Sequence, residues 1–119
     1  MKSQLIAIVA AVLVVGCGES VPDISIHDAA EEGNIEAVKQ HLAAGTDVNA
    51  NDRSGSTPLH FSVSRYDKEI AELLIAKDAD VNAKNVDGDT PLDYANGETA
   101  DLLRKHGGKT KTELEAEGK

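Results

Sequence analysis

The feature that most limits what this chain can fold into is an internal repeat. The tetrad Asp-Val-Asn-Ala at residues 47–50 returns at 80–83, and the triad Thr-Pro-Leu at 57–59 returns at 90–92, both displaced by 33 positions. Two different motifs that share one displacement are hard to obtain by chance. A period of this length indicates a stack of small units, each of which buries its apolar face against its neighbours.

The Thr-Pro-Leu motif carries the signals for a first helix. In the middle unit the Thr57 hydroxyl can cap a helix, and Pro58 suits the first helical position because its missing N–H has no partner inside the helix. Leu59 then faces inward. The helix is predicted to run to about Arg65.

A second, amphipathic helix is predicted over residues 68–77. Ile70, Leu73 and Leu74 follow the i, i+3, i+4 spacing of one helix face, so we expect Leu73 to be a buried core residue. In the first unit the corresponding helix ends at Gly45. Glycine suits the left-handed residue that follows a helix.

A 33-residue period that contains Thr-Pro-Leu-His resembles the ankyrin repeat, a β-turn followed by two antiparallel helices. The resemblance covers residues 24–108 and implies an all-α solenoid of about three helix-turn-helix units. The polar turns at residues 51–56 (finger 1) and 85–89 (finger 2) would project from the stack, with Gly55 and Gly88 at positive φ.

Two positions depart from the family pattern. Tyr66 and Asp67 stand where a glycine turn usually joins the two helices, and Asp78 replaces a glycine after the second helix. A residue other than glycine at positive φ costs on the order of 1 kcal/mol, although aspartate tolerates it better than most. The middle unit is therefore expected to be locally strained.

The third unit is short. Nine residues separate Leu92 from Leu102, four fewer than separate the equivalent leucines of the middle unit. Either the first helix is shortened around Asn96 and Gly97, or the unit is a truncated C-terminal cap. Asp93 replaces the motif histidine, which is expected to remove one hydrogen bond between units.

The tail at residues 109–119 is polar and charged. Thr112, followed three residues later by Glu115, has the spacing of a capped helical turn. We expect this tail to fray.

The N-terminus has the layout of an export signal. Lys2 is followed by an unbroken apolar run at residues 5–15, then by Gly16 and Cys17. A helix of this length rises about 16 Å, roughly half the hydrocarbon core of a bilayer, which disfavours a permanent span. The sequence thus divides into a signal segment 1–16, a tether 17–23, the repeat domain 24–108 and the tail 109–119.

The end of the apolar run resembles the lipobox of bacterial lipoproteins, which implies that Cys17 becomes a lipidated first residue of the mature protein. Two or more acyl chains hold a protein persistently on a bilayer. The alternative is that Cys17 is merely a small residue ending the run. Catalysis is disfavoured because the neighbouring Gly18, Glu19 and Ser20 supply no base and orienting group.

Composition removes several function classes. A net charge of −9 repels a phosphate backbone, so nucleic acid is not an expected partner. With 3% aromatic residues, a large cofactor pocket is not expected. No nucleophile–base pair or glycine-rich phosphate loop is present, so we expect neither enzymatic activity, nor a cofactor, nor a small-molecule substrate.

The histidines and acidic pairs are weak candidates for a metal. His27 and His60 lie one repeat apart, roughly 10 Å, too far for a shared ion, and are expected to bridge neighbouring loops. His41 and His106 are expected to be solvated near helix C-termini. The acidic pair in finger 2 lacks the remaining ligands of a calcium loop. No metal site is therefore expected.

The family resemblance also implies a binding surface. Ankyrin repeats contact partners through their fingers and the outward positions of their first helices. Carried onto this chain, these positions are Glu31, Glu32, Arg53, Ser54, Ser56, Phe61, Ser64, Arg65, Val86, Asp87, Asp89 and Tyr94. Packing within the array is an alternative role for the two aromatic residues, and simple solvation is an alternative for the charged ones.

Together these features predict a membrane-anchored protein–protein interaction module of the bacterial cell envelope. An aspartate after the cysteine would resemble the inner-membrane retention signal of enteric bacteria; Gly18 stands there instead, which implies the outer membrane, facing the periplasm, in a host that has one. The alternative function is an inhibitory or protective binder of an envelope enzyme or toxin.

Overall fold

The computed structural model describes residues 22–118, and these contain seven α-helices and no strand. The helices are α1 (Ile26–Glu32), α2 (Ile35–Ala43), α3 (Pro58–Ser64), α4 (Lys68–Ala76), α5 (Pro91–Tyr94), α6 (Gly97–Lys105) and α7 (Lys111–Glu117). The first six form three successive pairs, which confirms the predicted all-α solenoid. The signal segment 1–16 and the lipidation site Cys17 lie outside the described residues. No helix within residues 22–118 is long and apolar enough to cross a bilayer.

The first helices begin as the Thr-Pro motif predicts. Pro58 and Pro91 open α3 and α5. The Thr57 amide donates to Nδ1 of His60 at 3.0 Å, and the Thr90 amide donates to Oδ2 of Asp93 at 2.7 Å. These side chains satisfy backbone donors that have no partner inside the helix, so each first helix starts at a defined residue.

The core is one continuous stack of small and aliphatic side chains. First helices α1, α3 and α5 lie in consecutive contact, and each also packs on its own second helix. Leu59, Val63 and Ile70 of the middle unit are fully buried. They are joined by Ile26, Ala29, Ala30, Ala37, Val38, Ala71, Leu74, Leu92, Leu102 and Leu103.

The expectation that Leu73 is a core residue is wrong. Leu73 is half-buried and stands outside the core cluster, whereas Leu74 is fully buried. The buried stripe of α4 consists of Ile70, Ala71 and Leu74. At 100° of rotation per residue, Leu73 lies roughly 100° from the centre of that stripe, and therefore at its edge.

The strain predicted in the middle unit is confirmed. Tyr66 has φ 59° and Asp78 has φ 71°. The equivalent positions of the first unit, 33 residues earlier, are Gly33 and Gly45, at φ 74° and 86°. The middle unit therefore adopts the same left-handed turns with residues that carry a Cβ atom.

The third unit is shortened in its first helix, as one of the two alternatives predicted. Helix α5 has four residues, whereas α3 has seven. Equivalent asparagines show the deletion: Asn49 donates to the carbonyl of Asp78 at 3.3 Å, and Asn82 donates to that of Gly107 at 3.1 Å. The two acceptors are 29 residues apart, four fewer than the repeat period.

The expectation that the tail frays is wrong for the part that the structure describes. Helix α7 begins at a reciprocal cap in which the Thr110 amide donates to Oε1 of Glu113 at 2.9 Å, and the Glu113 amide donates to Oγ1 of Thr110 at 3.2 Å. The cap thus starts two residues before the predicted Thr112. An ion pair between Arg104 and Glu113, 2.9 Å long, ties α7 to α6.

Candidate protein-binding surface

The two fingers are built on the same internal hydrogen bonds. In finger 1 the Oδ1 atom of Asp52 accepts from the amides of Ser54 and Ser56, both at 2.9 Å. In finger 2 the Oδ1 atom of Asn85 accepts from the amides of Asp87 and Asp89, both at 3.0 Å. Each short polar side chain holds its own loop closed.

A backbone hydrogen bond links the fingers. The Val86 amide donates to the carbonyl of Ser54 at 2.8 Å. Gly55 makes this approach possible, because a Cβ atom at this position would lie 3.0 Å from the nitrogen of Val86. Gly55 also has φ 74°, a value that favours glycine. The fingers therefore present one connected edge.

The motif histidines hold the fingers to the first helices. Nδ1 of His60 accepts from the Thr57 amide, so the ring proton is on Nε2, which donates to the carbonyl of Asp89 at 3.0 Å. Nε2 of His27 likewise bonds the carbonyl of Ala50 at 2.7 Å. The prediction that these histidines bridge loops is confirmed.

Burial lowers the pKa of His60, an effect that the Asp89 carbonyl and the nearby carboxylates of Asp52, Asp89 and Asp93 oppose. The folded protein therefore favours the neutral ring. Neutrality preserves the Nδ1 acceptor that caps α3.

The expectation that His41 is solvated is wrong. Its exposed fraction is 4%, and its ring bonds the carbonyl of Ile24 at 2.7 Å and the hydroxyl of Thr46 at 3.0 Å. The ring thereby fixes the residues that precede α1 against the end of α2. The fourth histidine, His106, is exposed as expected.

The two aromatic residues of the predicted surface are both packed and accessible. Phe61 is half-buried and meets the ring of His27 edge-on, with centroids 5.8 Å apart. Tyr94 remains 38% exposed, and its ring meets that of His60 with centroids 6.0 Å apart. The Tyr94 hydroxyl donates to Oδ2 of Asp89 at 2.8 Å. These contacts fix the orientation of the Tyr94 side chain.

The predicted surface residues differ in their exposure. Nine are exposed: Glu31, Glu32, Arg53, Ser54, Ser64, Arg65, Val86, Asp87 and Tyr94. Ser56, Phe61 and Asp89 are half-buried. Val86 is 72% exposed at the outer part of finger 2, which is the largest value among the exposed large apolar side chains of the described chain.

The loss expected from Asp93 is offset by another contact. Its Oδ2 atom accepts from the Thr90 amide at 2.7 Å and from the Lys111 amide at 2.9 Å. It therefore links α5 to the start of α7 in place of the usual histidine bridge.

Sequence reasoning missed Lys111 altogether. The ammonium of Lys111 donates to the carbonyl of Asp87 in finger 2 at 2.8 Å. The only available signal was Thr110 with Glu113, which predicts a helix start at that point.

Metal-ligating side chains do not gather in the part of the chain that the structure describes. Within residues 22–118 no group of three or more histidine, cysteine, aspartate or glutamate side chains is placed to hold an ion. The chemistry of this surface consists of backbone groups, carboxylates, hydroxyl groups, two arginines and a few apolar side chains.

Three stacked helix pairs, with fingers joined by a backbone hydrogen bond, define a helical repeat protein. The chain belongs to the ankyrin repeat family, since residues 26–113 match the family model for ankyrin repeats in three copies. Ankyrin repeats are protein–protein interaction modules, so the class of function follows from the family.

Several curated proteins are similar to parts of the chain. They include acyl-CoA-binding domain-containing protein 4 of Oryza sativa subsp. japonica, 47% identical over 41% of this chain and 15% of its own length. Protein phosphatase 1 regulatory subunit 27 of Homo sapiens is 39% identical over 43% of this chain and 33% of its own length. The ankyrin repeat and LEM domain-containing protein 1 homolog of Caenorhabditis elegans is 34% identical over 61% of this chain and 10% of its own length. The chain thus spans a third or less of each of these relatives.

Proposed function

We propose that this ankyrin array binds one partner protein through its two fingers and the exposed ends of its first helices. The observation that carries the proposal is Val86, an apolar side chain that is 72% exposed on a finger whose backbone is already hydrogen-bonded. Ordering such a loop costs free energy on binding, and here the internal bonds have already ordered it.

The partner segment is proposed to carry a basic side chain beside an apolar one. Val86 is followed by the exposed carboxylate of Asp87, and the accessible ring of Tyr94 lies beside Asp89. A cation gains from carboxylates and from an aromatic face together. The net charge of −9 would also speed the approach of a basic partner.

Site-specific photo-crosslinking in the full chain tests this surface. A crosslinking residue at Val86 should capture one partner, and capture should weaken as salt is raised, because the attraction is partly electrostatic. The matched control is the same residue at Lys39, which is exposed on the second helix α2. Equal capture from both positions, or capture that is indifferent to salt, would count against the proposed surface.

We also propose that the protein is held on a bacterial membrane by lipid on Cys17, at the outer membrane facing the periplasm. The support is the sequence alone: an apolar run ending in Gly16 and Cys17. Six residues link Cys17 to the repeat domain and reach at most about 20 Å, which would keep the fingers near the bilayer.

The variant Cys17→Ser tests the anchor. It should move the protein from the membrane fraction to the soluble fraction, and mass spectrometry should show that the N-terminal peptide of the wild type carries acyl chains. Membrane retention of the variant would refute lipidation. It would leave the repeat surface untouched, so the two proposals fail separately.

A second candidate is an inhibitory or protective binder of an envelope enzyme or toxin. One similar protein is named as a regulatory subunit of protein phosphatase 1, which favours a regulatory role for this kind of array. Crosslinking separates the candidates. A single enzyme or toxin captured in equal amounts, with altered activity, supports the inhibitor, whereas a set of structural envelope proteins supports a scaffold.

A further inference from the structure

Equivalent carbonyl groups on the two fingers have different partners. The carbonyl of Ser54 in finger 1 accepts from the backbone amide of Val86 in the next finger, at 2.8 Å. The position 33 residues after Ser54 is Asp87, so its carbonyl is the group that would accept from a further finger. Helix α7 begins six residues after α6 ends, which leaves no room for a finger between them. The Asp87 carbonyl instead accepts from the ammonium of Lys111 at 2.8 Å.

The backbone around Lys111 is fixed by side chains of the array. The Lys109 amide donates to Oδ1 of Asn82 at 2.7 Å, and the Lys109 carbonyl accepts from the hydroxyl of Thr90 at 2.5 Å. The Lys111 amide then donates to Oδ2 of Asp93 at 2.9 Å. These three contacts determine where α7 starts, and therefore where the side chain of Lys111 begins.

The stem of Lys111 lies against finger 2. A Cβ atom added to Gly88 would come within 3.2 Å of Cε of Lys111. Lys111 is half-buried, although its ammonium bonds an exposed carbonyl. The methylene stem thus packs on the finger while the charged end supplies the hydrogen bond, as long basic side chains commonly do.

We infer that Lys111 is a positioning residue of the binding surface, because its ammonium takes the place of the backbone N–H of the finger that the array lacks. Without this contact the Asp87 carbonyl would have only water as a partner, and a loop held by fewer contacts opens more readily. By occupying that carbonyl, Lys111 holds finger 2, and with it Val86 and Asp87, in the geometry that finger 1 obtains from its neighbour. Helix α7 therefore supports the recognition surface through finger 2.

The inference rests on the proposed function in one respect: it assumes that finger 2 contacts the partner. Its physical content is that a side chain of α7 stabilises finger 2, and this can be measured with no partner present. If the finger responds to Lys111 and Val86 captures no partner, the proposed function fails and the positioning role stands.

Amide hydrogen exchange in the full chain tests it, comparing Lys111→Met, which keeps the stem, with Lys111→Arg, which keeps a donor. Exchange at residues 86–89 should become roughly three- to tenfold faster in the methionine variant, the range expected for the loss of one exposed hydrogen bond. The arginine variant should stay near the wild type. Lys105→Met, at an exposed lysine that ends α6, is the matched control and should change nothing in the fingers.

Finger 1 supplies an internal reference, because the amides of Ser54 and Ser56 bond to Asp52 and make no contact with Lys111. Their exchange should be the same in the wild type and in the three variants. Unchanged exchange at residues 86–89 in Lys111→Met would overturn the inference. Equal acceleration in Lys111→Met and Lys111→Arg, or acceleration throughout the array, would also overturn it, since either result would assign Lys111 a general structural role.

Discussion

The neighbouring leucines of α4 offer a direct test of how the stack is held together. Leu74 is fully buried and Leu73 is half-buried at the edge of the same helix face. Both lie inside one helix, and replacement by alanine improves helix propensity slightly at either position. The two variants Leu74→Ala and Leu73→Ala therefore differ mainly in what each leucine buries.

The expected magnitudes follow from that burial. Removing three buried carbons from Leu74 costs about 2.5 kcal/mol in transfer free energy, and the cavity raises the loss to about 3–5 kcal/mol. Leu73→Ala removes less buried apolar surface and leaves a site that water can enter. Its free energy of unfolding should therefore fall by about 1 kcal/mol. A domain of this size is stable by about 5–15 kcal/mol, so Leu74→Ala removes a large part of that stability.

Urea denaturation, monitored by far-ultraviolet circular dichroism, measures the stability of both variants in the same way. The midpoint for Leu74→Ala should fall far below that of the wild type, with Leu73→Ala only slightly below it. A thermal scan should agree, at roughly 4–8 °C for each kcal/mol. Equal losses for the two variants, or a larger loss for Leu73→Ala, would show that α4 presents a different face to the core and would refute the packing described above.

Three further perturbations have outcomes that the geometry determines. Tyr66→Gly should stabilise the array by about 1 kcal/mol in urea denaturation, since φ 59° is strained for tyrosine and not for glycine; a loss of stability would mean that the Tyr66 side chain contributes more than its strain costs. Because burial lowers the pKa of His60, the unfolded chain binds a proton below about pH 6.5 while the folded chain does not. Stability should therefore decrease as the pH falls from about 6.5 to the lowered pKa, and then level off. Urea titrations at several pH values should show a smaller dependence of stability on pH in His60→Gln than in the wild type, and an equal dependence would refute this assignment. Gly55→Ala should cost more than Gly45→Ala in thermal unfolding, because both glycines have positive φ but only Gly55 has a backbone atom within 3.0 Å of the added Cβ; equal losses would show that strain alone decides.

Local signals in the sequence predicted much of the fold. The Thr-Pro starts of α3 and α5 appear where the motif places them. The left-handed turns at Tyr66 and Asp78 fall at glycine positions of the repeat pattern. These features depend on a few consecutive residues, so the chain itself carries the information.

The errors have a different origin. The pattern of α4 placed Ile70, Leu73 and Leu74 on one face, and only the packing of α4 against its neighbours puts Leu74 in the core and Leu73 at the edge. His41 was expected in solvent, but its partner is the carbonyl of Ile24, 17 residues earlier. A contact between distant segments leaves no mark on the local sequence around either one.

The candidate surface divides in the same way. The sequence placed Val86, Asp87 and Tyr94 in the finger or helix position from which an ankyrin array contacts its partners, and the structure leaves all three exposed. It gave no indication that Lys111 reaches finger 2, because that contact depends on where the shortened third unit directs the chain.

By itself, the sequence determined the period, the Thr-Pro helix starts and the number of units, because repetition and capping are properties of short stretches of chain. The tertiary structure alone decided which leucine of α4 is buried, how α7 packs on the last unit, and that Lys111 supports finger 2. Those outcomes depend on the distance between segments that are far apart in sequence, and such distances exist only after the units have stacked.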